Sequence, residues 1–315
     1  MSALSGAAGG ATPVTLSVVI PTYGRQRILR DTLEALLALD LTGCEVLVVD
    51  QNAAHDEATG AYLARVADRI RWLRLSPPGL PRARNAGWRA AAGEIVLYLD
   101  DDVLPHPGLV EGHRRPYADP AVGGVAGRVV TRGYPLPEHP SPRNRWPGVG
   151  WLFFNLAQTA PAEVATARGC NMSFRRSVLA ELGGFDERYA PSPYRNESDL
   201  CFRLRRRGYR LRFEPLAAVD HLQHEAGGVR AGGREESLSP SHHVDNFRFF
   251  WTHVPWRHRP LTLLVLLAQE FCTRRARAAR RPWRVQLRIL ALMARGAWTA
   301  LVERRSPAPA PRSPT

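Results

Sequence analysis

Three consecutive carboxylates, Asp100, Asp101 and Asp102, close the stretch EIVLYLDDD. The apolar run before them, Ile95–Leu99, is rich in β-branched and aromatic side chains and suits a strand buried on both faces. If strand geometry persists past Leu99, Asp100 and Asp102 face one side and Asp101 the other. Like charges this close raise each other's pKa unless a cation sits among them. A divalent metal shared between carboxylate and phosphate oxygens meets that need. A solvated acidic turn is the bland alternative, and the remaining motifs weigh against it.

A second carboxylate pair lies in Glu197-Ser198-Asp199-Leu200-Cys201-Phe202-Arg203-Leu204. On a helix, Glu197 shares the apolar face of Leu200, Cys201 and Leu204, whereas Asp199 shares its face with Arg203 and Arg206. Glu197 is therefore the inward carboxylate and a general-base candidate. Asp199 reads as structural, although either could act. His221 follows a predicted strand and can join Asp102 on a metal, with His224 as the alternative. Mixed carboxylate and imidazole ligation suits Mn2+ somewhat better than Mg2+. Arg84 and Asn85, early in a predicted helix, combine a cation, an amide and free backbone N–H groups in a fair anion site.

The elements that must position these residues alternate strand and helix. Strands are expected at Thr15–Ile20, Glu45–Val49, Ile70–Leu75, Ile95–Leu99, Val122–Ala126, Arg210–Glu214 and Ala217–Val219. Helices are expected after Ile28, over His55–Ala67, from Pro81 to about Ala92, over Pro107–Tyr117, over Arg175–Leu182 and from Glu197 to Arg207. This rhythm predicts a mostly parallel α/β sheet covered on both faces, with ligands at the carboxyl ends of its strands. Thr22-Tyr23, Asp50 and Asp100–Asp102 gather at that edge. PTYGRQ after the first strand matches neither a dinucleotide fingerprint nor a phosphate-binding P-loop, which argues against a dehydrogenase or a P-loop enzyme.

The 315-residue chain has a formal charge of +14 and is 44% hydrophobic. Such a balance attracts anions: nucleic acid, acidic lipid headgroups or a phosphorylated substrate. No nucleic-acid-binding motif is present, so no nucleic-acid partner is expected. The cysteines Cys44, Cys170, Cys201 and Cys272 form no CxxC pair, which argues against a cysteine zinc or redox site and for free thiols in a reducing cytoplasm. Residues 1–13 read as a flexible leader. Trp151, within a Pro-, Gly- and Trp-rich stretch over about 131–164, is a candidate for stacking on sugar. Residues 236–305 read as basic, amphipathic helices suited to an anionic membrane surface, and 306–315 as a disordered tail. The longest apolar stretch there, Leu261–Ala268, falls far short of the ~20 residues that span a bilayer.

The ordered set SVVIPTYGR, EVLVVDQN, PRARNAGWRAAAGEIVLYLDDDV, GCNMSFRRSVLAELGGFDE and ESDLCFRLRRRGY, followed by a His, resembles a family 2 glycosyltransferase of the GT-A type over roughly Leu16–Arg230. The resemblance implies one GT-A domain over 14–235, with a nucleotide-binding half (14–126) and an acceptor half (127–235). It implies an inverting transfer from a nucleotide-diphospho-sugar to a saccharide or lipid-linked acceptor, with Mn2+ or Mg2+ as cofactor. Pro21, Thr22, Tyr23, Arg25, Asp50, Arg84, Asn85, Asp100 and Asp101 would line the donor site, and Asp102 with His221 the metal. Gly169, Cys170 and Asn171 would lie near sugar or acceptor. Glu197 stands where many relatives have Asp, which leaves Glu197 or Asp199 as the base. The expected location is cytoplasmic, at the inner face of the plasma membrane. A non-catalytic sugar-nucleotide-binding module and a nucleotidylyltransferase are competing readings, with a basic nucleic-acid-binding protein behind them. The intact DDD with Glu197 opposes the first, and the absence of a Gly- and Lys-containing signature near the first strand opposes the second.

Overall fold

The computed structural model describes residues 15–131, 148–153, 155, 157–189, 194–222, 238–272 and 282–305. Strands β1 (Leu16–Thr22), β2 (Cys44–Asp50), β3 (Arg71–Arg74) and β4 (Ile95–Leu99) alternate with helices α1 (Arg27–Leu37), α2 (Glu57–Arg65) and α3 (Leu80–Ala90). After β5 (Val103–Pro105) and α4 (Leu109–Arg114) come β6 (Val122–Thr131), β7 (Ala162–Glu163), β8 (Asn171–Arg175), α5 (Arg176–Leu182), α6 (Asn196–Arg206) and β9 (Arg210–His221). Helices α7 (Pro240–His253), α8 (Arg259–Phe271) and α9 (Trp283–Arg305) follow.

The strands form one sheet ordered β3-β2-β1-β4-β8-β6-β9-β5, with β7 beside β9. The first four are mutually parallel, as the strand–helix rhythm predicts. Beyond β4 the sheet is mixed: β8 runs antiparallel to both β4 and β6, whereas β6 and β9 are parallel. The two short strands expected at Arg210–Glu214 and Ala217–Val219 are one bent strand, β9. A register shift opposite Gly127 and Arg128 absorbs Pro215, which has no N–H for the ladder.

Period-2 alternation sets the two faces. Leu16, Val18 and Ile20 of β1 join Leu29, Leu33 and Leu36 of α1 on one side, and Val19 joins Ala83 of α3 on the other. A Cβ at Gly87 would collide with Val19, so the glycine lets α3 lie close on β1. A third core holds Phe247, Phe249 and Phe250 of α7, Leu266 of α8 and Ile289, Met293 and Ala300 of α9.

Within α9, Trp283–Glu303 is long and apolar enough, by length and composition, to cross a membrane. The arginines of α9 interrupt its apolar residues in sequence, which is why Leu261–Ala268 stands out as the longer unbroken run.

Candidate functional site

The carboxyl ends of β1 and β4 meet in a tight ionic cluster. Thr22 Oγ1 donates to Asp101 Oδ2 at 2.7 Å. Arg25 Nη1 lies 2.9 Å from Asp101 Oδ1 and 2.6 Å from Asp102 Oδ2. Asp101 is therefore not opposed to Asp102. The chain leaves strand geometry at Leu99 and turns before β5, so both carboxylates converge on Arg25. Burial pushes Asp101 up to about 7, with the Arg25 charge opposing. Burial would also raise Asp102, but the hydrogen bond and charge of His221, with Arg25, bring it below the ordinary carboxylate value.

The donor set fits a divalent ion. Asp102 Oδ1 and His221 Nδ1 are both buried, and His221 Nδ1 has no hydrogen-bond partner. His221 Nε2 stands 3.3 Å from Asp102 Oδ1 because β5 pairs Val103 with His221. Ligand atoms of Asp100, Cys170 and His221 lie within 4.8 Å of one another. Oxygen and imidazole donors side by side suit Mn2+. Cys170, expected near sugar or acceptor, instead brings its thiol to these groups, and burial pushes that thiol far above its ordinary pKa. His224 lies outside the described residues.

Arg84 links this cluster to the start of α6. It is 2% exposed, its Nη1 donates to Asn196 Oδ1 at 2.7 Å, and its Nη2 is 3.5 Å from Asp100 Oδ1. Gly169 makes room for it, since a Cβ there would collide with the guanidinium. Asn196 escaped the sequence reading, whose only cue was a polar residue beside Glu197. Glu197, next in the chain, is half-buried and holds Oε2 buried with no hydrogen-bond partner. Asp199 is committed elsewhere: Oδ2 to Arg203 Nε at 2.8 Å and Oδ1 to His253 Nε2 at 2.7 Å. Burial would raise its pKa, but His253 and Arg203 hold it below the usual range. Arg206, expected to share Asp199, donates instead to the Thr252 carbonyl.

Three predicted contacts are corrected. Asn85 does not face the donor edge: its Nδ2 donates to the Phe185 carbonyl at 2.9 Å and Glu187 at 2.8 Å, and its Oδ1 accepts from Phe185 N–H. Asn171 is fully buried in β8 and spends its amide on the Arg128 and Ala217 carbonyls and on His113. Trp151 packs 4.5 Å from Phe249 between ring centroids and is 5% exposed, a core residue rather than a sugar platform. Pro21 is buried in β1, Tyr23 is exposed beside the edge, and Asp50 holds His55 Nε2 at 2.8 Å and the Asn52 amide.

A family model described as "Glycosyl transferase family 2" matches residues 17–183. A pre-mycofactocin glycosyltransferase of Mycobacterium tuberculosis is 30% identical over 210 residues, covering 65% of this chain and 42% of the relative. The chain thus spans less than half the length of that relative. Two solved structures share the fold. A mannosyltransferase of Pyrobaculum calidifontis, in complex with GDP-Man and Mn2+, superposes with TM-score 0.53 at 19% identity, covering 96% of this chain and 92% of that one. S. aureus TarS 1–349 with UDP-GlcNAc gives TM-score 0.62 at 16% identity, covering 92% and 82%. With its ordered motifs and the match over residues 17–183, the chain belongs to glycosyl transferase family 2.

Proposed function

We propose that the protein transfers a sugar, with inversion, from a nucleotide-diphospho-sugar to an acceptor hydroxyl, and that Glu197 is the base. The observation that carries this reading is the Arg84 bridge, which joins Asp100 on the donor edge to Asn196 beside Glu197. It unites the two carboxylate regions in one site.

In this reading the Glu197 carboxylate takes the proton of the acceptor hydroxyl as its oxygen bonds to the anomeric carbon. The bond from that carbon to the diphosphate oxygen breaks, and its electron pair leaves with the nucleoside diphosphate. The buried, partnerless Oε2 keeps Glu197 available as a proton acceptor. Arg25 and Arg84 fix the acidic edge in place and offset its charge. Asp102 and His221, with Asp100 beside them, would hold Mn2+ or Mg2+. Such an ion supplies Lewis-acid stabilisation of the departing diphosphate. The Mn2+ and nucleotide sugar of the Pyrobaculum enzyme support that assignment.

The acceptor, on this reading, is presented at an anionic membrane surface. Successive residues on α9 lie 100° apart, which gives the helix three sectors. Ile289, Met293 and Ala300 pack inward. Trp283, Leu287, Leu290 and Trp298 are exposed together, with Trp298 at 69%. Arg284, Arg288 and Arg295 border that apolar stripe on its solvent side. Such a helix lies in the headgroup region, arginines on lipid phosphates. A lipid-linked saccharide at the inner face of the plasma membrane fits this surface, and the free thiols of Cys44, Cys170, Cys201 and Cys272 fit a reducing compartment.

The test is nucleoside diphosphate release from a panel of GDP- and UDP-sugars with Mn2+, Mg2+ or EDTA. Glu197→Gln should lower kcat by about 10²–10⁴-fold while nucleotide affinity stays unchanged. Asp102→Ala should abolish metal-dependent nucleotide binding. Turnover that survives Glu197→Gln would remove Glu197 as the base.

A further inference from the structure

A second cluster of metal-ligating side chains lies outside the donor edge, between α7 and α8. His242 and His243 come from the first turn of α7 and Glu270 from the last turn of α8, and their ligand atoms all lie within 4.8 Å of one another. The imidazoles are 5% and 1% exposed. Glu270 Oε1 is 3.8 Å from His242 Nε2, and its side chain is 15% exposed. The group opens on a cavity of about 30 Å³ that Gln269, Phe247, Leu266 and Met293 also line, which is room for one water. Asn246 Nδ2 lies 3.0 Å from His242 Nε2, a contact that an ion on that nitrogen would replace, and Arg195 lines the rim. Its guanidinium lies over the rings of Trp151 and Tyr194, at 4.5 and 4.3 Å, and its Nε donates to Asn246 at 3.0 Å.

Two buried imidazoles and one carboxylate are a ligand set that zinc takes with a water in the fourth position. Two neutral imidazoles and one carboxylate leave a bound dication with one net positive charge, far less to bury than a bare ion. Ligand bonds of about 2.0–2.2 Å bring such atoms to roughly 3.4 Å apart, so binding would draw α7 and α8 together. We propose that His242, His243 and Glu270 bind a zinc ion that staples α7 to α8 behind the loop that leads into α6 and Glu197. The link to that loop is direct: the Tyr194 ring stacks on His242 at 4.1 Å, and Arg195, two residues before Glu197, is fixed on Asn246 of α7. This site uses no cysteine, so no cysteine spacing announces it.

The experiment measures zinc bound per chain after dialysis against micromolar Zn2+, with any affinity tag removed, in an Asp102→Ala, His221→Ala background that silences the donor edge. One zinc per chain is expected, with a higher melting temperature in Zn2+ than in Mg2+. His243→Gln and Glu270→Gln should each weaken zinc binding by at least about tenfold while circular dichroism shows the fold intact. Zinc content well below one per chain in the silenced background overturns the proposal. So does zinc content unchanged in either folded variant. If His243→Gln fails to fold, the exposed-side ligand variant Glu270→Gln decides.

Discussion

The carboxyl edge of β1 and β4 and the first turn of α6 both gather carboxylates, and they neutralise them with partners from different parts of the fold. At the edge, Asp101 and Asp102 share Arg25, which stands three residues past the end of β1, inside the stretch matched by the family model. At α6, Asp199 is held by Arg203 one turn on and by His253, which belongs to α7. That helix lies beyond the 17–183 stretch matched by the family model. Among the described residues, Glu197, two residues from Asp199, forms no such ion pair. The Arg25 pairing thus lies within the matched stretch, whereas Asp199 is tied to a C-terminal helix. The pairing that engages both oxygens of Asp199 also makes it an anchor for the turn that carries Glu197.

The largest expected effect separates those two roles. Asp199→Asn leaves Arg203 and the buried His253 without their carboxylate, and breaking a buried pair of this kind costs about 3–5 kcal/mol. Urea unfolding should show that loss, whereas Glu197→Gln should leave the midpoint nearly unchanged. An Asp199→Asn protein that keeps its stability but loses turnover would break the comparison and move the base.

Arg25→Met should cost less, about 1–3 kcal/mol. Burial already pushes Asp101 up to about 7, so in the variant it can neutralise itself by taking a proton. Without Arg25 both carboxylates bind protons more tightly when folded. The folded variant then holds protons that its unfolded chain releases, so its deficit against wild type should widen as pH rises through 7. Chemical denaturation at pH 6 and 8 measures this, and equal deficits at both would show that Arg25 does not govern the edge.

The sequence exposes the β1–β4 edge because each of its parts sits at a visible strand end. A buried strand that ends in DDD carries its chemistry within one short stretch, and β1 delivers Thr22 and Arg25 beside it. The helix-face argument likewise separates Glu197 from Asp199, because i, i+4 spacing is written in the chain. Asn85, Asn171 and Trp151 were misplaced for a common reason. Each looks like a ligand-facing group locally, yet each is consumed by a partner remote in sequence: Phe185 for Asn85, His113 for Asn171, Phe249 for Trp151. Their hydrogen-bonding and apolar surfaces are satisfied only once β8 inserts antiparallel between β4 and β6 and α7 closes on α6. No periodicity encodes those events. His253 gave no local sign of its role, and neither did the turn after Leu99 that brings Asp101 round to Arg25.

Behind the two charged regions lies a neutral solution to the same problem of burying polar groups, and it yields the smallest effect. His113 of α4 is fully buried, with Nδ1 2.8 Å from Ser173 Oγ and Nε2 2.8 Å from Asn171 Oδ1, both on β8. Since Asn171 Oδ1 only accepts, Nε2 carries the proton and Nδ1 accepts from Ser173. Burial lowers the His113 pKa to about 4, and the hydrogen bond to Asn171 only partly opposes it. The unfolded histidine titrates near 6.5, so between these values the unfolded chain binds more protons. This stability is full above pH 6.5 and is lost as pH falls toward 4, at up to about 1.4 kcal/mol per pH unit. Asp101 and Asp245, pushed up to about 7 and about 8 by burial, titrate across the same range with the opposite sign. The wild-type curve alone therefore hides the histidine. The difference between wild type and His113→Gln isolates it: the variant's deficit at pH 7 should shrink by about 1 kcal/mol between pH 6 and 5. Parallel stability curves for the two proteins over that interval would mean that His113 is already charged when folded. The strand that carries Asn171 past the donor edge would then be held by an ion rather than by a neutral network.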